Sequence, residues 1–197
     1  MILPIVAYGD PVLKQEGEEI EKDYEGLEQL IENMWETMYN ARGVGLAAPQ
    51  IGKSIRLFIV DASPFADDAA EGEPDPKAEG LEGFKKVFIN PIIEEEGEEW
   101  AFEEGCLSIP TVREDVYRKE KITITYFDED FNFHEETYDG YAARIIQHEY
   151  DHIDGILFTD HLSILKKRLL NKKLTNIAKG QVNIDYRMRF PKQKRRK

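Results

Sequence analysis

The sequence predicts an α+β fold, and three observations carry that expectation. Segments with strand patterning come before two long helical segments, with little βαβ alternation between them. Residues 121–128, KITITYFD, alternate apolar and polar side chains, and DEDFN turns them back into FHEETY, which is hairpin patterning. Residues 139–152 and 163–179 carry helical spacing and stop near Gly155 and at Gly180.

The remaining elements follow in chain order. Leu27, Leu30, Ile31, Met34, Trp35 and Met38 recur at helical spacing, so 27–38 should form an amphipathic helix with one buried face. GVGLAAPQIG at 43–52 reads as a glycine-punctuated loop. IRLFIVD at 55–61 is expected to be a buried strand, VFIN at 87–90 restarts the sheet, and 98–105 forms a further strand. Between them, 62–83 is rich in Ala, Gly, Pro, Asp and Glu, and so is expected to be a long solvated loop. QVNIDYRMRF at 181–190 holds a short strand, and a basic tail closes the chain.

The chain has 197 residues, enough for one domain with a sizeable core. No apolar run approaches the roughly 20 residues needed to span a bilayer, and the first residues lack secretory signal patterning. The expectation is a cytoplasmic protein without a membrane partner. Net charge is −13, unevenly spread. Residues 161–197 hold 13 Lys and Arg against one acid, Asp185, whereas the first 160 hold 13 against 38. An acidic body with a basic arm points to a polyanionic partner for the arm.

The chemistry concentrates in His148-Glu149-Tyr150-Asp151-His152. On a helix, positions i and i+4 share a face, so two imidazoles can grip one metal ion with Glu149 beside it to move protons. A catalytic site needs a third protein ligand and an open position. No Glu follows Glu149, and the third-His pattern meets Gly155 but then Phe158. Asp154, Asp160 and Asp185 fit less well, and His134 sits in the hairpin without a partner motif. Cys106 is the lone cysteine, 42 residues upstream of His148, and its thiolate suits iron, zinc, nickel or cobalt. Gly105 beside it leaves room for close backbone approach.

Three motifs stand in order: Gly43-Val44-Gly45-Leu46-Ala47-Ala48-Pro49-Gln50, then Glu104-Gly105-Cys106-Leu107-Ser108, then Gln147-His148-Glu149-Tyr150-Asp151-His152. In these motifs the chain resembles the peptide deformylase family, from its YGDPVL start through about residue 165. The resemblance implies mixed or antiparallel sheets packed around the motif helix, with a C-terminal helix and basic tail beyond. It divides the chain into one deformylase-like domain over 1–180, with 62–83 as an acidic insertion, and a tail over 181–197. It implies N-formylmethionyl nascent peptides as substrate and one divalent metal, Fe2+ as the native ion, with Zn2+, Ni2+ or Co2+ able to replace it. Cys106, His148 and His152 would hold the metal, and Glu149 would relay the proton. The Gln50 amide and the Leu107 backbone N–H would face the oxyanion. Gly45, Gly105 and the loop around Val44 would line the substrate channel. Val44, Ile145 and Tyr141 would shape a methionine pocket, and Arg113 would touch the peptide. The acidic insertion, the basic tail and Ile153 in place of Leu are departures from the family pattern.

Three further function classes remain open at this level. One is a zincin-type metallopeptidase, which the missing third-ligand patterns count against. Another is a metal-binding adaptor for ribosomes or nucleic acid, suggested by the basic arm. A metal-free Cys–His hydrolase is a third.

Overall fold

The computed structural model describes residues 1–71 and 75–192. The elements run β1 (Ile5–Val6), α1 (Leu27–Asn40), β2 (Gly45–Ala47), β3 (Leu57–Asp61), α2 (Ser63–Glu71), β4 (Lys85–Cys106), β5 (Ile109–Phe127), β6 (Phe133–Asp139), α3 (Gly140–Ile153), α4 (Ile164–Ala178) and β7 (Met188–Arg189). The fold is α+β. Strands β2 to β6 form one antiparallel sheet in the order β2-β3-β4-β5-β6, and β1 pairs with β7 in a separate parallel ribbon.

Strand β3 explains the layering. Its alternate residues Phe58 and Val60 join the cluster built on Ala143 and Ile146 of α3, while Leu57 and Ile59 join the cluster built on Leu30, Ile31 and Met34 of α1. Helices cover both faces of this strand. That is why its sequence is a continuous apolar run rather than an alternation. Helix α1 buries Leu27, Leu30, Ile31, Met34 and Met38 as their spacing requires. Trp35 stays half-buried at the edge, with the Lys85 ammonium 4.4 Å over its ring.

Several sequence-based expectations change. The stretch over 43–52 is not a loop: β2 pairs with β3, and a 3₁₀ turn, Ala48–Ile51, buries Ala48, Pro49 and Gln50. The strands expected at 87–90 and 98–105 are one strand, β4, with register shifts at Ile89/Ile92, Glu96/Glu99 and Gly105/Cys106. Each shift resets which face a side chain takes, so the pattern reads as broken. Ser163 caps α4, accepting the Lys166 N–H at 3.3 Å.

The solvated-loop expectation for 62–83 is corrected. Ser63–Glu71 is helical and Pro76–Ala78 is a 3₁₀ turn. Ala62, Ala66, Ala78 and Leu81 are buried against the α3 side of the core, and the Phe65 ring stacks on Tyr141 at 4.7 Å. An average over a polar composition hides a few small apolar residues that pack closely. Residues 72–74 of this stretch lie outside the described residues.

The tail expectation also changes. Gln181–Lys192 packs on the body, with the Ile5 and Ala7 N–H groups donating 2.9 Å to the Arg187 and Arg189 carbonyls. A boundary at 180 therefore does not release an arm. Lys194, Arg195, Arg196 and Lys197 lie outside the described residues.

Leu81→Ala should cost about 2–5 kcal/mol, as a buried leucine does, measured by urea unfolding. A loss below about 0.5 kcal/mol, the size of an exposed-site effect, would return 62–83 to solvent.

Candidate active site

Helix α3 is buried along most of its length, from Ala142 through Glu149 and again at His152 and Ile153. It therefore carries its polar groups into the interior. His148 and His152, one turn apart, face the end of β4. There the Gly105/Cys106 register shift re-aims the strand. The Cys106 Sγ lies 3.3 Å from His152 Nε2, and ligand atoms of Cys106, His148 and His152 all fall within 4.8 Å of one another.

The donor set suits a divalent transition metal. Burial alone would push the Cys106 thiol up. The charge of His152 and hydrogen bonds with His148 and His152 outweigh it and bring the thiol down to about 5. The thiolate is the form that ligates metal. His148 is oriented from behind, because its Nδ1 is held 2.8 Å from Glu104 Oε2. That leaves Nε2 as the nitrogen available to a metal, the arrangement expected of a metal-bound histidine.

Glu104 is a residue whose role the sequence did not reveal. It is 5% exposed. It accepts Arg118 Nε at 2.7 Å and Nη2 at 3.0 Å, and Arg144 Nη1 at 3.0 Å. Arg118 continues to Asp151 at 2.8 Å, whose same oxygen meets His161 at 2.7 Å. Burial disfavours the Glu104 carboxylate. Its hydrogen bonds with His148 and Arg118 win, holding it well below the usual carboxylate range. The only sequence signal was position: Arg144 is four residues before His148 on α3, and Arg118 lies opposite Trp100 on β5.

Glu149 is buried, and burial pushes its carboxyl up to about 7 against the opposing pull of His148 and His152. Its Oε2 has no hydrogen-bond partner among the described residues. Gly45 is the reason Glu149 fits, since a Cβ there would stand 2.3 Å from Glu149 Oε1. Gly105, by contrast, meets Arg113 at an ordinary 3.4 Å, so close approach is not what it provides.

Gln50 is oriented by its own turn. Its Oε1 accepts the Ala47 N–H at 2.8 Å, so its Nε2 is the atom presented, 3.4 Å from both Cys106 Sγ and Ser108 Oγ. Leu107 sits in the turn between β4 and β5, and its carbonyl accepts the Tyr186 hydroxyl at 2.8 Å.

These groups open on a cleft of about 810 Å³. Val44, Gly45, Gln50, Gly105, Cys106, Leu107, Arg113, Ile145, His148 and Glu149 line it, and His152 is buried in its wall. Tyr141 stands outside that lining. Its hydroxyl goes to Asp75 at 2.6 Å, and Phe65 and Phe102, which pack on its ring, line the cleft in its place. Arg113 lies at the rim, 3.7 Å from Glu103. The other candidate ligands are engaged elsewhere: Asp154 with Arg56 at 2.7 Å, Asp160 with Lys14, Asp185 with Arg42, and His134 with Asp128 at 2.7 Å. The C-terminal residues Asn183 to Tyr186 also line the cleft, which the sequence did not reveal.

A family profile described as polypeptide deformylase matches residues 2–168. A peptide deformylase of Christiangramia forsetii is 64% identical over 196 residues, covering 99% of each chain. One from Flavobacterium psychrophilum is 61% identical over 99% of this chain and all of its own. The crystal structure of a peptide deformylase from Legionella pneumophila superposes with a TM-score of 0.75 at 38% identity, covering 92% of this chain and 98% of that one.

Glu104→Gln should destabilise the protein by about 3–5 kcal/mol, because it takes the carboxylate from buried Arg144 and leaves buried Arg118 with Asp151 alone. Chemical denaturation measures this. An unchanged midpoint would mean that the Arg118 and Arg144 charges are satisfied without Glu104.

Proposed function

Because this chain belongs to the peptide deformylase family, a family of metal-dependent enzymes that remove the formyl group from N-formylated nascent peptides, we propose which of its residues perform that hydrolysis. The reading is carried by one juxtaposition: a thiol and two imidazoles converge beside a buried carboxyl at the floor of a single cleft. Cys106, His148 and His152 are the metal ligands, with Fe2+ as the native ion and Zn2+, Ni2+ or Co2+ accommodated by the same donors. Bound there, a divalent ion supplies Lewis acidity and makes a water nucleophilic near neutral pH.

The chain's own groups do the rest. Glu149, its carboxyl raised into the neutral range by burial, takes the proton of the attacking water and delivers it to the departing amine. The carbon–nitrogen bond breaks, leaving formate and the free amino terminus. The Gln50 amide and the Leu107 N–H face the oxygen on which negative charge develops. Val44, Ile145, Phe65 and Phe102 supply apolar wall for the methionine side chain, and Arg113 at the rim meets the peptide beyond it.

Cys106→Ala should lose most of its metal, measured by elemental analysis after anaerobic purification. Glu149→Gln should keep the metal and lose about 10²–10⁴-fold in kcat on formyl-Met peptides. Full metal in the first variant would remove Cys106 from the ligand set, and near-normal turnover in the second would remove Glu149 as the proton carrier.

Nascent chains emerge beside ribosomal RNA, so a cytoplasmic site of action and docking through the basic C-terminal region belong to the same reading. Among the described residues no helix is long and apolar enough to cross a membrane. Helix α4 carries Lys166, Lys167, Arg168, Lys172 and Lys173, beside exposed Ile164, Leu165 and Leu169. Lys166 pairs with Glu114 and Lys167 donates to the Asp160 carbonyl, which leaves Arg168 and Lys172 as the first charges to test. Ribosome co-sedimentation should weaken steeply as salt rises, through lost counterion release. It should weaken further in Arg168→Glu/Lys172→Glu and in a chain ending at residue 192, a cut that spares the packed 181–192 segment. Equal binding by all three would remove both features as anchors, and no binding by the full chain would end the docking idea.

A further inference from the structure

We propose that Tyr186 is a positioning residue for deformylation, its hydroxyl fixing the turn from which the Leu107 N–H meets the oxyanion. The proposal rests on the reading above that this N–H is an oxyanion donor. Cys106 pairs with Ile109, so Leu107 and Ser108 are the two central residues of the turn joining β4 to β5. Such a tight turn holds peptide groups that the flanking ladder does not bind. Two donors from outside the hairpin hold it. The Tyr186 hydroxyl donates 2.8 Å to the Leu107 carbonyl, and the Tyr8 N–H donates 2.9 Å to the Ser108 carbonyl.

Both donors flank the same small ribbon. Ile5–Val6 pairs in parallel with Met188–Arg189. Tyr8 follows Val6 by two residues, and Tyr186 precedes Met188 by two. The ribbon of the two chain ends thus places one donor on each carbonyl of the turn. Cys106, paired with Ile109, anchors the chain before Leu107, and Tyr186 holds the carbonyl after it, so the Leu107 residue is restrained from both sides. The Tyr186 side chain also lines the cleft, so it holds this turn from the substrate side. Donors fixed in advance are what make an oxyanion site effective.

The test is Tyr186→Phe, which removes only the hydroxyl, in the full-length metal-loaded enzyme, alongside Gln50→Ala. Tyr186→Phe should lower kcat roughly 5- to 50-fold, less than the roughly 10²–10³-fold that outright loss of an oxyanion donor costs. KM should stay within about two-fold, because the interaction acts in the transition state. Metal content and the thiolate absorption of the cobalt-loaded enzyme should match the parent. The Leu107 and Ser108 amides should shift and exchange faster in NMR spectra. Kinetics are compared at a temperature where melting shows the variant folded. Parental kcat, a rise in KM alone, or loss of metal would each overturn the positioning role. If Gln50→Ala is slow while Tyr186→Phe is not, Tyr186 alone fails. If neither is slow, the oxyanion reading fails with it.

Discussion

Glu104 lies where three elements meet, and the arrangement of the site depends on its charge. Its strand, β4, ends two residues later at Cys106. Arg118 reaches it from β5 and Arg144 and His148 from α3. A buried carboxylate without partners would be neutral or would force a rearrangement. This one accepts four hydrogen bonds from cations and an imidazole, so it locks strand, neighbouring strand and helix at one angle. The imidazole it holds is one of the metal-ligand candidates. The network therefore converts the rigidity of a buried ion cluster into the aim of a single ring nitrogen.

Burial raises the pKa of both Cys106 and Glu149, yet their net titration shifts are opposite. Cys106 gains more from His148 and His152 than it loses to desolvation, so it favours the thiolate. Glu149 loses more to desolvation than the histidines return, so it keeps a proton into the neutral range. One group is prepared to bind a cation and the other to exchange a proton, and the difference arises from placement rather than residue type. Gly45 is part of that placement, because any side chain there would occupy the space of the Glu149 carboxyl. The front of the cleft depends on the chain ends, since residues 183–186 form one wall and the β1–β7 ribbon holds that wall in place.

Much of the fold was legible from local pattern. The periodicity of 27–38, the hairpin from 121 to 138, and the helices near 139–152 and 163–179 all appear with small changes at their ends. These segments are read correctly because each buries one face and its pattern repeats without interruption. The failures share a cause. Strand β4 is interrupted by register shifts, β2 is short and opens on a glycine, and α2 carries its buried residues in an acidic, alanine-rich stretch. In each case the stabilising contact is made with another element, adjacent in the sheet for β2 and β4 and distant in the chain for α2, and local composition holds no record of it.

For the site, the sequence alone determined the chemistry: two histidines four apart beside a glutamate, one cysteine, and three ordered motifs that resemble one family. Helical geometry fixes the spacing of His148 and His152 wherever the helix lies, so that much needs no tertiary information. Tertiary structure decided how those groups are tuned and enclosed. It brought Arg118 and Arg144 onto Glu104, moved Tyr141 behind Phe65, and returned the C-terminal segment to the cleft with Tyr186 on the Leu107 carbonyl. The physical reason is range. Backbone periodicity acts over a few residues and is written in their order. Burial, charge pairing and hydrogen bonding act through space between residues far apart in the chain, 79 positions for Tyr186 and Leu107 and 146 for Lys14 and Asp160, and they exist only once the chain has closed on itself.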